Sequence, residues 1–272
     1  MRRPPVPTEA SFASPARHEA LTARIGTYLG IAFGLCFATG LISHWYYLYD
    51  APFFPPTHPV WGYRITQGVH ILSGIAAIPL LLVKLWSVYP KLFAAIPRDR
   101  KLLALDLAEK GSIAVLVASS IFQLGMGLAN QAHWYPFSFS FRSTHYAVAW
   151  IAIGSLVVHI AVKLPIIRRA WAGPLPEPDD EPERDPSYAG PSRRTILRTA
   201  LLASGVAVLA AAGNTVPWLR RVSVFAVRDG EGPQGVPINR SAVAAGVTET
   251  ARAADFEVTL LHGDREVALT RA

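Results

Sequence analysis

FRSTHYAVAWIAIGSLVVHIAVKLP, residues 141–165, decides how this chain is read. At 1.5 Å per residue a helix of this length spans roughly 37 Å, enough to cross a hydrocarbon core of about 30 Å. Nearly every position is apolar, so the stretch reads as a transmembrane helix. Two histidines interrupt it, His145 and His159, fourteen positions apart. Fourteen steps of about 100° return to within roughly 40° of the same face and rise about 21 Å. The two imidazoles therefore share a face, one towards each end of the hydrocarbon. Ionisable groups at such depth are costly and mark function. Imidazole is also an axial ligand of haem iron, so two stacked ligands suit two haems and an electron path across the bilayer. A pair of polar residues hydrogen-bonded inside a helix bundle is the competing reading.

The rest of the chain agrees with a membrane setting. Of 272 residues, 51% are hydrophobic and 17% charged, a balance that soluble domains rarely show. The net charge of +7 comes from basic residues beside apolar segments. That is the pattern of membrane topology, not of a nucleic-acid surface. The single cysteine, Cys36, lies in an apolar run, which excludes an intrachain disulfide and any cysteine-built metal cluster. It reads as packing filler.

Four further spans are expected. The first covers residues 25–43, with Gly26, Gly30, Gly34 and Gly40 at spacings that let neighbouring backbones approach. His44 follows, at the head of an aromatic belt, and is either an outer haem ligand or an interfacial imidazole. The second span, residues 63–89, carries His70 at a depth close to that of His145. Gly68 and Gly74 flank it and leave room for a flat macrocycle, and Pro79 predicts a kink. The third, residues 112–129, has Gln123 but no histidine. The fifth, residues 199–213, is short and rich in Ala and Gly. His18, His58, His133 and His262 read as surface, loop or water-boundary residues. Arg64 and Arg142 begin the second and fourth spans on one side, where they pair with haem propionates or anchor the interface.

Lys and Arg counts orient the chain. Residues 1–23, a basic loop at 90–110 and a Pro-rich acidic linker at 166–195 face the cytoplasm. Residues 24–165 form the four-helix membrane domain. Residues 196–214 cross outward, and residues 215–272 form a partly β extracytoplasmic tail. The expected fold is an all-α membrane protein: a four-helix transmembrane bundle, a fifth transmembrane helix and that tail. The setting is the plasma membrane, with lipid as first partner.

The four-span region, with His70, His145 and His159, resembles the di-haem cytochrome b membrane subunits of the formate dehydrogenase and nickel–iron hydrogenase type. That resemblance implies that His70 and His145 hold an outer haem and His159 an inner one. The family's inner partner on the first helix is replaced here by Gly26 or a neighbour, so one haem b or two remain open. The runs ATGLISHW, RITQGVHILSGIAAIPLLLVKLWSVYPKLF and HYAVAW…VVHIAVKLPIIRR look like actinobacterial membrane-bound molybdopterin-dependent oxidoreductases. The tail VFAVRDGEGPQGVPINRSAVAAGV looks like the lead-in to their sulfite-oxidase-type domain, whose remainder and molybdenum-binding cysteine lie outside this chain. Within the same resemblance, SRRTIL is similar to a twin-arginine export signal built on Arg193 and Arg194, with Ile196 where Phe is usual. Two arginines holding the cytoplasmic end of a helix explain the pair equally well.

Two functions follow as expectations. One is an electron-transfer module of one or two b-type haems, linking a quinone pool to an extracytoplasmic molybdopterin domain. The other is a haem-free anchor and export module for that domain. A proton-coupled transporter is disfavoured, because no Asp or Glu interrupts the spans.

Overall fold

The computed structural model describes residues 8–46, 48, 58–59, 61–94, 97–132, 134–178, 188–213 and 215–225, together with the strand residues 257–262 and 265–270. Five long helices dominate it: α1 (Glu19–Trp45), α2 (Gly62–Val88), α3 (Arg100–Gln131), α4 (Phe141–Trp171) and α5 (Arg193–Ala212). All five are long and apolar enough to cross a membrane. Two strands, β1 (Glu257–His262) and β2 (Arg265–Thr270), form an antiparallel hairpin with Glu257 opposite Thr270. Much of the expected tail, residues 226–256, lies outside the described residues, as does His133.

The helices start where side chains satisfy their first free N–H groups. His18 caps α1 by accepting from the Ala20 amide at 3.0 Å, so it is a helix cap and not a spare surface imidazole. Asp99 caps α3 on the Lys101 and Leu102 amides. Ser192 caps α5 on the Thr195 amide. The Asp99 cap shifts one boundary. The basic stretch expected as a loop at 90–110 is mostly helical, and α3 begins at Arg100, twelve residues ahead of the expected span. Similarly, α4 runs through Pro165 to Trp171 and takes in the start of the expected linker.

Pro79 lies inside α2 without ending it. A proline removes one amide and leaves a backbone carbonyl of the preceding turn without its helical partner. In that turn the Ser204 hydroxyl of α5 donates to the Ala76 carbonyl at 2.8 Å. The carbonyl that Pro79 frees is that of Ile75, so this bond ties α5 to α2 beside the proline without replacing the lost partner.

Helix α1 packs on α2 and α4, α5 packs on the outside of α2, and α3 leans on α4 and touches α2 only lightly. The densest core joins Leu21, Ile25 and Leu29 of α1 to Ala77, Leu80 and Leu81 of α2, with Ala170 and Ala200 closing it. It occupies the end of the molecule where α1 and α3 begin. Arginines fasten that end. Arg24 donates to the Ala170 and Gly173 carbonyls at the close of α4, and Arg17 donates to the Trp86 carbonyl at the close of α2. Cations on the free carbonyls of helix C-termini are favoured by hydrogen bonding and by the helix dipole. Elsewhere large apolar side chains such as Leu82, Val157, Val162 and Leu202 point outward. A surface of this kind suits lipid and not water.

Candidate functional site

At the other end the core opens. Helices α1 to α4 surround a cavity of about 460 Å³, in the size range of small-molecule and cofactor sites. Each helix contributes a polar group to a mostly apolar wall: Ser43 and His44 from α1, His70 from α2, Gln123 from α3, and Arg142 and His145 from α4. The light contact between α2 and α3 is what leaves the space.

His70 and His145 meet there. Their ring centroids are 6.1 Å apart and their planes nearly perpendicular, at 81°. The ring of His70 is held by α1: its Nδ1 lies 2.7 Å from the Cys36 carbonyl oxygen. A carbonyl can only accept, so Nδ1 carries the proton and the lone pair sits on Nε2. The Cys36 thiol donates in turn to the His70 carbonyl at 3.4 Å. The backbone carbonyl of Cys36, a group any residue here would supply, fixes the tautomer of His70, while its sulfur packs against Gly74. Gly40, one turn further along α1, gives the ring its room. A Cβ there would stand 2.6 Å from both Cε1 and Nδ1 of His70.

The role expected of the other glycines differs. Gly74 faces the Cys36 sulfur at 3.6 Å, and Gly68 faces Thr215 beyond the end of α5 at 3.6 Å. Gly74 lines the cavity as well as letting α1 approach, whereas Gly68 does not line it, and the gap between α2 and α3 adds to the room.

On the far side, the ring of Phe141 stacks on His145 at 5.0 Å. Gln123 reaches across from α3, its Nε2 donating to the His145 carbonyl at 2.9 Å. Nδ1 of His145 and Oε1 of Gln123 are both buried without a hydrogen-bond partner among the described residues. His44 also lines the cavity, its ring stacked on Tyr146 with centroids 4.0 Å apart and planes within 8°. Arg142 borders the same cavity, while Arg64 is exposed and outside the lining.

His159 is not part of this site. It is half-buried near the other end of α4, within electrostatic reach of Lys84 and Lys163. Lys163 is paired with Glu109 of α3 at 2.7 Å. The face of Gly26, the position at which the cytochrome b resemblance implies a ligand for a second haem, is covered by Lys84. Its Nζ stands 2.9 Å from the position of a Gly26 Cβ and donates to the Thr22 carbonyl at 2.8 Å. The structure thus brings together His70, His145 and His44 of the expected ligands, and separates His159.

Arg193 and Arg194 take different roles. Arg193 is 2% exposed. Its guanidinium donates to the Pro15 carbonyl through Nε and Nη2 and to the Pro176 carbonyl through Nη1. The Glu177 carboxylate accepts from the amides of both arginines and pairs with the exposed Arg194 side chain at 3.2 Å. Arg193 therefore ties the lead-in before α1, the segment after α4 and the start of α5 into one joint.

Two imidazole nitrogens, each about 2.0 Å from one metal ion, put the ring centroids roughly 6 Å apart. The observed separation, the Nδ1-anchored tautomer of His70 and the apolar cavity beside the rings all suit a bis-histidine haem. No cluster of three or more His, Cys, Asp or Glu suited to a bare metal ion occurs among the described residues. No protein-family model, no curated protein and no solved structure matches this chain.

Proposed function

We propose that this chain is a membrane electron-transfer module that binds one b-type haem between α2 and α4, with His70 and His145 as axial ligands. One observation carries the reading: two imidazoles from separate membrane-length helices meet at 6.1 Å inside a cavity of about 460 Å³. Bound there, the haem supplies a one-electron carrier whose potential is tuned by ligands, burial and nearby charge. The chain's own residues do the rest. Cys36 holds the tautomer of His70, Gly40 leaves space for its ring, and the apolar walls exclude water. Arg142, which borders the cavity, offers a cation to the haem carboxylates. A single haem is preferred to two because His159 lies outside the cavity, with Lys84, Lys163 and Glu109 as its charged neighbours.

The chain lies in the plasma membrane with its N-terminus in the cytoplasm and its C-terminal strands outside, on the support of the Lys and Arg distribution. Its electron partners are a quinone pool and an extracytoplasmic molybdopterin domain of the sulfite-oxidase type. Those partners rest on the sequence resemblance alone.

The test is a dithionite-reduced minus oxidised absorption spectrum of the purified chain in detergent. Sharp α and β bands of a six-coordinate b-type haem are expected, lost in His70→Ala and in His145→Ala. A colourless preparation from haem-replete cells refutes the proposal and leaves the anchoring role.

A further inference from the structure

His70 and His145 are supported unequally. The Nδ1 proton of His70 has an acceptor, the Cys36 carbonyl at 2.7 Å. Nδ1 of His145 is buried with none among the described residues, and so is Oε1 of Gln123. Gln123 already reaches His145 through the latter's backbone, because Gln123 Nε2 donates to the His145 carbonyl at 2.9 Å. A buried ring nitrogen and a buried amide oxygen left unmet each cost about 1–3 kcal/mol, and pairing them with each other would remove both costs. Gln123 also lines the cavity and comes from α3, the helix that supplies no imidazole.

We infer that Gln123 is the positioning residue for His145. Its Nε2 holds the backbone carbonyl in the structure, and a small rotation of the amide against the ring would bring Oε1, unpaired as it stands, to accept from the ring Nδ1–H. The proton is thereby kept on Nδ1, and the Nε2 lone pair is presented to the cavity, as the Cys36 carbonyl does for His70. Histidines that ligate metals are oriented in this way by acceptors on the second ring nitrogen, and losing such an acceptor weakens binding by about 10- to 100-fold. Gln123 thus tunes the electron donation of one ligand and couples α3 to the site.

The inference rests on the haem reading, and two measurements separate the two. In the first, parent, Gln123→Leu and Gln123→Glu are purified with haem, and midpoint potential and haem loss to a scavenger are compared. Loss of the acceptor makes His145 a weaker donor, so Gln123→Leu shifts the potential upward and releases haem at least tenfold faster. Gln123→Glu, protonated in this buried site, keeps an O–H for the His145 carbonyl and an oxygen for Nδ1, so its potential and haem release stay close to the parent's. A haem-loaded Gln123→Leu with the parent's potential and release rate overturns the inference and leaves the haem reading intact. In the second, ¹⁵N spectra of haem-free protein report the His145 tautomer. The parent is expected to show the Nδ1–H form and Gln123→Leu a mixture; the same spectrum in both overturns the inference even if no haem binds.

Discussion

Replacing Gly40 by alanine tests how His70 is held. An added Cβ stands 2.6 Å from the imidazole Cε1 and Nδ1, whereas comfortable contact begins near 3.4 Å, so the ring has to withdraw by about 0.8 Å. The Nδ1 hydrogen bond to Cys36 starts at 2.7 Å. Stretched by a comparable amount it reaches about 3.5 Å, beyond useful hydrogen-bond range. A buried donor then loses its acceptor, which costs about 1–3 kcal/mol. Overpacking adds about 1–3 kcal/mol if the ring resists, and alanine returns up to about 1 kcal/mol of helix propensity. The net expectation is a loss of about 2–4 kcal/mol. Gly34 is the matched control on the same helix, because a Cβ there meets nothing within 4 Å. Gly34→Ala is therefore neutral or slightly stabilising. The assay is thermal unfolding in one detergent, read by circular dichroism, with haem content measured on the same samples. Gly40→Ala is expected to melt several degrees lower and to lose haem, while Gly34→Ala matches the parent in both. Equal melting and equal haem in the two variants refute the placement of His70 against α1.

Four other outcomes follow. His159→Ala keeps the full haem content of the parent, whereas His70→Ala and His145→Ala lose it; a halved content in His159→Ala establishes a second haem. Arg193→Ala destabilises the protein by about 3 kcal/mol, since it leaves the carbonyls of Pro15 and Pro176 without their donor, while Arg194→Ala changes stability by less than about 1 kcal/mol. Thermal unfolding of both reads the difference, and equal effects contradict the joint. It follows that Arg194→Lys, not Arg193→Lys, is the clean test of export: a signal reading predicts a C-terminal tail protected from external protease, and an accessible tail removes it. Ser204→Ala, which takes the donor from the Ala76 carbonyl beside Pro79, loosens α5 on α2 by about 1 kcal/mol, measurable as faster amide exchange around residue 76.

The membrane class of the chain was legible residue by residue. Runs of apolar residues of bilayer length need no tertiary context, because in lipid a helix satisfies its own backbone. His70 and His145 stood out for the same reason, as polar groups at a depth where polarity is expensive. Boundaries were less legible. The apolar run of α3 starts well after the helix does, because Asp99 caps a polar turn that carries no hydrophobic signal. His18 read as a surface residue because its capping bond depends on backbone geometry and not on composition. Gln123 was visible only as a polar residue in a span without histidine. Its importance lies in which carbonyl it reaches, and that belongs to the packing of α3 on α4.

By itself the sequence determined that five segments are apolar enough to leave water, and which of them carry imidazoles, because transfer into lipid is a sum over local side chains. Only the tertiary structure decided that His70 meets His145 while His159 stays outside their cavity, near Lys84, Lys163 and Glu109, and that Arg193 is buried and Arg194 exposed. Those outcomes depend on how helices rotate against one another. That rotation is set by the fit of side chains drawn from distant parts of the chain, such as Lys84 over Gly26 and His70 over Gly40, a relation that no single segment contains.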